Sequence, residues 1–249
     1  MNASKFFLKA ANSLVTAIVA LFLILAAAYS GYALWDNAQV YGAVDDIQSQ
    51  LLKLKPDPEQ KDGGTSFEEL RKINPDVCGW ITLDHTKIDY PILQGEDNLT
   101  YINTDVYGDF ALSGSIFLDS GCDRNFRGKY SLLYGHHMAE HKMFGDLDLY
   151  RKKKFFNKST TGTLILPDRS YKLEIFACMQ VSASEESIFA TGKWQADTSG
   201  LVDFVRKKSR NMSISRQWIT LESPKIFPRY WQCQPALRNL QMQEQFFWR

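Results

Sequence analysis

A long apolar run near the start of the chain predicts a membrane-spanning helix. No charged residue occurs between Lys9 and Asp36. A bilayer core about 30 Å thick needs roughly 20 mostly apolar helical residues, and this run supplies them. Lysines precede the run and aspartates follow it, an asymmetry that predicts a cytoplasmic N-terminus and an external remainder. We therefore assign residues 1–10 to the cytoplasm and residues 11–35 to a transmembrane anchor.

A cleaved signal peptide is the alternative for the same run. Ala26, Ala27 and Ala28 resemble a small-residue cleavage site, but the run is long for the apolar region of a signal peptide. Both interpretations send the following domain across the membrane. The expected localisation is the cell membrane, with a single pass and an extracellular folded domain.

The next segment, residues 36–65, is predicted to be a helical extension followed by a linker. Apolar residues recur there at steps of three and four, which makes one stripe along a helix: Val40, Val44, Ile47, Leu51 and Leu54. We favour packing of this stripe on the chain's own domain over a partner-binding coil. Residues 55–65 are rich in Pro, Gly and charge. Ser66 and Glu69 then form a capping-box pattern ahead of a short helix through Lys72.

From Gly79 onward the pattern changes to short β-rich runs separated by Gly, Asn and Asp, which is typical of a compact β domain. The predicted strands lie at 80–83, 88–93, 115–118, 130–134, 162–167, 171–181 and 217–221. Two helices are predicted, at 144–156 and at 198–209, the second with Leu201, Phe204 and Val205 facing inward. The expected class is mainly β, a barrel or sandwich with peripheral helices.

Composition narrows the function classes. The net charge is +1, which implies no polyanionic partner such as a nucleic acid. Apolar residues make up 45% of the chain and support a real core. The four cysteines are widely spaced and show neither a zinc knuckle nor a dense disulfide framework. No cofactor is expected.

Three of the four histidines fall within YGHHMAEH, directly after the predicted strand 130–134. A strand end that opens into a loop is a common position for reactive groups. One interpretation is a metal site, because His137, Glu140 and His141 fit the H-x-x-E-H pattern of a zinc hydrolase. The other is a nucleophile–base pair, in which a cysteine thiol attacks a carbonyl and His136 moves the proton. The sequence alone does not show which cysteine meets His136.

Residues 66–221 resemble the class B sortases, which are membrane-anchored cysteine transpeptidases of Gram-positive bacteria. The resemblance is carried by INPDVCGWITLDHTKIDYPILQGEDNLTYI (73–102), SGSIFLD (113–119), YGHHM (134–138) and MFGDLDLY (143–150). It implies an eight-stranded β-barrel with peripheral helices and an N-terminal helical extension. It also implies that His136, the histidine directly after Tyr-Gly, is catalytic and that His137 is only its neighbour.

The resemblance further implies a reaction and its partners. Sortases cleave a C-terminal sorting signal of a secreted protein and form a thioacyl intermediate on cysteine. They pass the acyl group to an amine, which is a peptidoglycan precursor in anchoring enzymes or a pilin lysine in pilus assembly. The expected partners are therefore such secreted proteins, an amine acceptor and the membrane.

The resemblance ends at residue 223, so we divide the chain into a sortase-like domain (66–223) and an atypical tail (224–249). The family motif T-L-x-[ST]-C places its cysteine where this chain has Pro224. The tail lacks the alternation of a barrel strand, so we expect no strand after residue 223, an open barrel edge and marginal folding unless the aromatic tail covers the gap.

Three explanations for the tail compete. The first is a frameshift or misassembled end near codon 222. The second is a displaced site in which Cys233, with Arg229 or Arg238, takes over catalysis. The third is an inactive homologue that binds sorting signals without cleaving them. The other cysteines are poor substitutes, because Cys78 and Cys178 lie in apolar runs and Cys122 in a loop.

Overall fold

The computed structural model describes residues 3–59, 64–181, 186–212, 230–235 and 243–248. The chain divides into two compact units, residues 1–43 and residues 44–249. The first unit is helical and belongs to helix α1, Ala3–Leu52. Its large apolar side chains are mostly exposed, for example Phe22 at 69% and Leu34 at 72%. Part of α1 is long and apolar enough to cross a membrane, by length and composition.

The last turns of α1 belong to the second unit and pack on it. Val44 and Leu51 are buried against the core, and Ile47 packs beside them. The predicted stripe is therefore confirmed for this part of the helix, and it contacts the chain's own domain. Helix α2, Gly64–Ile73, begins before Ser66, so the predicted capping box was wrong. Phe67 and Leu70 anchor α2 to the same core.

Nine strands occur in the described residues, and the first six match the predicted β-rich runs. They are β1 Val77–Leu83, β2 Asp89–Leu93, β3 Phe117–Leu118, β4 Tyr130–Gly135, β5 Thr161–Ile165, β6 Ser170–Val181, β7 Ser209–Met212, β8 Tyr230–Pro235 and β9 Gln243–Trp248. The strand predicted at 217–221 lies outside the described residues. The short helices are a 3-10 helix Gly145–Arg151, α3 Lys153–Phe156, α4 Glu186–Phe189, α5 Thr191–Ala196 and α6 Leu201–Lys208.

The strands form one sheet in the order β5-β1-β2-β3-β4-β8-β9-β6-β7, and β5 also pairs with β6. This last pairing joins the two ends of an eight-stranded series, with β7 as an extra strand beside β6. Strand β6 is 12 residues long, so it can pair with two strands along successive parts of its length. Its first part pairs with β5 and its second part with β9. The predicted eight-stranded barrel with peripheral helices is confirmed.

Strands β8 and β9 overturn the expectation that no strand follows residue 223. Strand β8 pairs in parallel with β4, and β9 pairs with both β8 and β6. Backbone hydrogen bonds need no side-chain alternation, so neighbours on both sides can hold these segments. Pro235 is compatible with β8 because it is the final residue of the strand. The place of the expected open edge is therefore filled by β8 and β9.

The helix predicted at 144–156 is two short helices, because the 3-10 helix ends at Arg151 and α3 begins at Lys153. In α6, Leu201 and Val205 are fully buried as predicted, and Phe204 packs partly buried against the core. The interior between the strands is filled largely by aromatic and branched side chains. The largest fully buried ones are Trp80, Tyr130, Tyr150, Phe117, Phe126, Phe144 and Phe156.

Candidate active site at the end of strand β4

His136 directly follows Gly135, the last residue of β4. Strand β4 is almost wholly buried, so the chain leaves the interior at this histidine. A Cβ on Gly135 would lie 2.3 Å from Ile116 Cδ1 and 2.8 Å from Phe144 Cδ2. Glycine is therefore needed for the close approach of β4 to these side chains. The backbone N–H of Phe144 donates to the His136 carbonyl at 2.9 Å, which anchors the residue after the strand.

The His136 ring is partly buried, and its Nε2 atom lies 2.7 Å from the Ile102 carbonyl oxygen. A carbonyl oxygen only accepts hydrogen bonds, so Nε2 carries the proton in this contact. In a neutral imidazole the other ring nitrogen, Nδ1, is then the basic atom. His136 can therefore take a proton at Nδ1 while a backbone contact holds the ring.

The two neighbouring histidines interact with carboxylates of the 3-10 helix. His137 Nε2 lies 2.9 Å from Asp148 Oδ2, and His141 Nδ1 is hydrogen-bonded to Asp146. Residues 137–141 form a turn closed by a bridge between His137 and Met143 instead of a helix. Glu140 and His141 have positive φ angles of 59° and 66°. The helical face that the H-x-x-E-H interpretation needs is not formed.

Metal ligation also finds no support elsewhere in the part of the chain that the structure describes. No group of three or more His, Cys, Asp or Glu side chains is arranged there to hold a metal ion. The geometry at residues 136–141 instead separates one histidine, which faces a backbone carbonyl, from two that face carboxylates. The role of His136 as the catalytic base, with His137 only its neighbour, stays a prediction.

Three of the cysteines are buried: Cys78 in β1, Cys122 in the loop after β3, and Cys178 in β6. Burial raises the pKa of the Cys78 thiol to about 12 and that of the Cys122 thiol to about 12. Thiols with such pKa values are protonated at neutral pH, and the thiolate is the nucleophilic form. These two cysteines are therefore unsuited to attack a carbonyl, as the sequence predicted.

The backbone of Cys233 lies in β8, the strand beside β4. Cys233 pairs with Leu133, so His136 lies three residues further along the neighbouring strand. At about 3.3 Å per residue this is an offset of about 10 Å along the strands. Strand pairing therefore brings the Cys233 backbone near the histidine strand but not level with His136. Pro224, Arg229 and Arg238 lie outside the described residues.

Comparisons with known proteins place this architecture in a family. No family model matches the chain. The curated sortase B of Staphylococcus aureus is 30% identical over 160 residues, which cover 64% of this chain and 66% of that protein. The sortase B of Listeria monocytogenes is 33% identical over 156 residues, covering 61% and 62%. The chain thus matches just under two thirds of the length of these curated relatives.

A solved structure decides the family. Spy0129, a class B sortase of Streptococcus pyogenes involved in pilus biogenesis, is 34% identical with a TM-score of 0.64. The match covers 75% of this chain and 99% of that one. The chain belongs to the class B sortases. The sortase B of Bacillus anthracis in complex with AAEK1 is 22% identical with a TM-score of 0.71, which supports the sortase fold. Class B sortases are cysteine transpeptidases, so the chain descends from an enzyme family.

Sequence reasoning missed the groups that orient the sortase histidine. The contact to the His136 ring comes from a backbone carbonyl, and side-chain chemistry gives no signal for such a group. Gly114 is the second missed residue, because it packs directly on the Ile102 carbonyl. The sequence pointed to these two residues only through the family resemblance. Gly114 lies in the SGSIFLD segment, and Ile102 ends the first segment that carries the resemblance.

Proposed function

We propose that the chain is built as a sortase-type transpeptidase that acts on a C-terminal sorting signal of secreted proteins. The observation that carries the proposal is His136 at the end of β4, held through Nε2 at 2.7 Å from the Ile102 carbonyl, in a class B sortase fold. Two solved sortase B structures, an S. aureus substrate complex and a complex with triglycine, support a peptide substrate and an amine acceptor.

The proposed reaction has two acyl-transfer steps. His136 Nδ1 takes the proton of a cysteine thiol, the thiolate forms a bond to the substrate carbonyl carbon, and Nδ1–H protonates the leaving amine as the peptide C–N bond breaks. An acceptor amine then attacks the thioacyl group, a new C–N bond forms, and the amine proton passes through Nδ1 to the leaving sulfur. The acceptor is a peptidoglycan precursor or a pilin lysine.

This chain differs from the family motif at the position of the nucleophilic cysteine. Pro224 stands where the family motif has its cysteine, and proline has no nucleophile. Cys233 is the remaining candidate, because the other cysteines are buried. A register offset of about 10 Å along the strand is too long for direct proton transfer to His136 without rearrangement. We therefore expect no turnover from this chain as its sequence stands.

The test compares four forms of the full-length chain in detergent: the original chain, Cys233→Ala, Pro224→Cys, and Pro224→Cys with His136→Ala. The substrates are fluorescence-quenched peptides that carry C-terminal sorting signals of secreted proteins from the same genome, with triglycine as acceptor. We expect a thioacyl adduct by mass spectrometry only in Pro224→Cys with His136 intact. Robust turnover by the original chain, lost in Cys233→Ala, would instead assign Cys233 as a displaced nucleophile.

A non-catalytic membrane protein that binds sorting signals is the second candidate, favoured by Pro224. It predicts peptide binding to the original chain that survives His136→Ala and leaves no covalent adduct. Binding is measured by fluorescence anisotropy of the same peptides without the quencher. The absence of an adduct in Pro224→Cys as well, together with retained binding, would favour this candidate over the transpeptidase.

We also propose that residues 11–35 anchor the chain with the domain outside and residues 1–10 in the cytoplasm. The exposed apolar side chains of α1 and the lysines before the run support this orientation. Protease added to intact protoplasts should digest the domain and leave a membrane-bound N-terminal fragment. Protection of the domain from external protease would reverse the assignment, and recovery of a secreted domain without the apolar run would indicate signal-peptide cleavage.

A further inference from the structure

The Ile102 carbonyl favours a proton on Nε2 of the His136 ring. It faces Nε2 at 2.7 Å and can only accept. The same contact suits both protonation states, because Nε2 donates in the neutral ring and in the imidazolium. All proton exchange is then left to Nδ1. The position of this single oxygen therefore bears on the chemistry of the histidine.

Gly114 sets how closely the chain packs on that oxygen. A Cβ on Gly114 would lie 2.2 Å from the Ile102 oxygen, 2.8 Å from the Ile102 carbonyl carbon and 2.6 Å from the Tyr101 oxygen. All three contacts are with backbone atoms, which cannot rotate away as a side-chain end can. The φ angle of Gly114 is +54°, a conformation that glycine adopts without steric cost. A side chain at residue 114 therefore forces a shift of the backbone at residues 101–102 or at residue 114 itself.

Hydrogen bonds on both sides of this contact hold the two segments together. The N–H of Ser115 donates to the Tyr101 oxygen at 3.0 Å, and the Ser115 hydroxyl donates to the Thr104 oxygen at 2.8 Å. The N–H of Ala111 donates to the Asn103 oxygen at 3.0 Å. The Ile102 carbonyl therefore lies within a backbone clamp, which we define as segments 101–104 and 111–115, and it has little room to move.

We infer that Gly114 is a positioning residue for His136, which acts by placing the Ile102 carbonyl so that the ring stays in the Nε2–H form with Nδ1 as the basic atom. The role of this tautomer in catalysis rests on the proposed function. The tautomer itself does not depend on that function. Displacement of the carbonyl removes the acceptor that favours a proton on Nε2.

The test measures the tautomer by ¹⁵N NMR of the full-length chain in detergent micelles, with ¹⁵N-labelled histidine and His136→Gln to assign the signals. At a pH where the ring is neutral, we expect a pyrrole-type Nε2 and a pyridine-type Nδ1 for His136. Gly114→Ala should shift both signals toward a mixed state. Gly108→Ala is the matched control, because Gly108 also has a positive φ, of 88°, but no atom lies within 4 Å of its added Cβ.

The rate of adduct formation gives a second reading in the Pro224→Cys background. A misplacement of about 1 Å at a catalytic group can cost about 100-fold in rate, so we expect at least a tenfold loss from Gly114→Ala and little change from Gly108→Ala. An Nδ1–H tautomer in the original chain would overturn the inference, even if Gly114→Ala failed to fold. Equal effects of the two alanine variants would overturn it as well. The expected tautomer without any adduct would refute only the proposed function.

Discussion

Asp89 connects three parts of the domain and offers a sharp test of what holds the barrel together. Its Oδ1 atom accepts from the Trp80 indole N–H at 2.6 Å and from the Thr82 hydroxyl at 2.9 Å. Its Oδ2 atom pairs with Lys55 Nζ at 2.8 Å, just after helix α1. Trp80 is fully buried, so its N–H loses this acceptor if the carboxylate is removed.

We expect Asp89→Ala to destabilise the domain by about 2–5 kcal/mol. An unsatisfied buried donor costs about 1–3 kcal/mol, and the lost hydroxyl bond from Thr82 adds about 1 kcal/mol. Because the Lys55 pair is partly exposed, it adds at most about 1 kcal/mol. Asp89→Asn keeps an oxygen that can accept from Trp80 and removes only the charge, so it should cost about 1 kcal/mol.

Thermal unfolding of the full-length chain in detergent, followed by tryptophan fluorescence, measures the difference. For a domain of this size, 1 kcal/mol corresponds to roughly 2–4 °C in Tm, so Asp89→Ala should lower Tm by about 4–20 °C. Lys55→Met is the matched control and should lower Tm by less than about 4 °C. Equal losses in Asp89→Ala, Asp89→Asn and Lys55→Met would refute the reasoning, because the ion pair would then account for the whole effect.

Three further outcomes are expected. Cys78 and Cys122 should not react with Ellman's reagent at pH 8 in the folded chain and should react in denaturant, because burial raises the pKa of both thiols to about 12. Since these folded pKa values exceed the ordinary 9.0, the stability from both thiols is complete below pH 9 and lost as pH rises toward 12, so Tm scans should fall above pH 9. Gly135→Ala should cost about 1–3 kcal/mol by overpacking against Phe144, whereas Gly192→Ala in α5 should stabilise slightly, as urea midpoints can show.

Much of the barrel was predictable because its first six strands are buried and separated by clear turn residues. Strand β4 shows the reason: YSLLYG is short, β-rich and followed by a polar segment, so the pattern predicts both the strand and the position of His136 directly after it. The end of α1 was predictable for a similar reason, since Val44 and Leu51 recur at helical spacing and both are buried.

Strands β8 and β9 could not be predicted from their own residues. Strand β9 does not alternate apolar and polar positions, β8 alternates over only the four residues 231–234, and Pro235 argues against a long strand. The pairing of β8 with β4 joins segments about 100 positions apart, and local pattern carries little information about such a contact. The Ile102–Gly114 contact was hidden for a different reason, because backbone atoms make it and any residue at 102 supplies the same carbonyl.

The candidate site has two parts, which different stretches of the chain supply. Two contacts of His136, with the Ile102 carbonyl and the Phe144 N–H, lie within the part of the chain that carries the family resemblance. The backbone of Cys233 belongs to β8, the strand beside β4, which the tail of the chain supplies. We propose that a change beginning after residue 223 affects the nucleophile position and leaves the contacts of His136 with Ile102 and Phe144 in place. Pro224→Cys returns a thiol to the motif position and leaves the backbone clamp around Ile102 unchanged. Adduct formation by this variant would show that His136 can still act as the base.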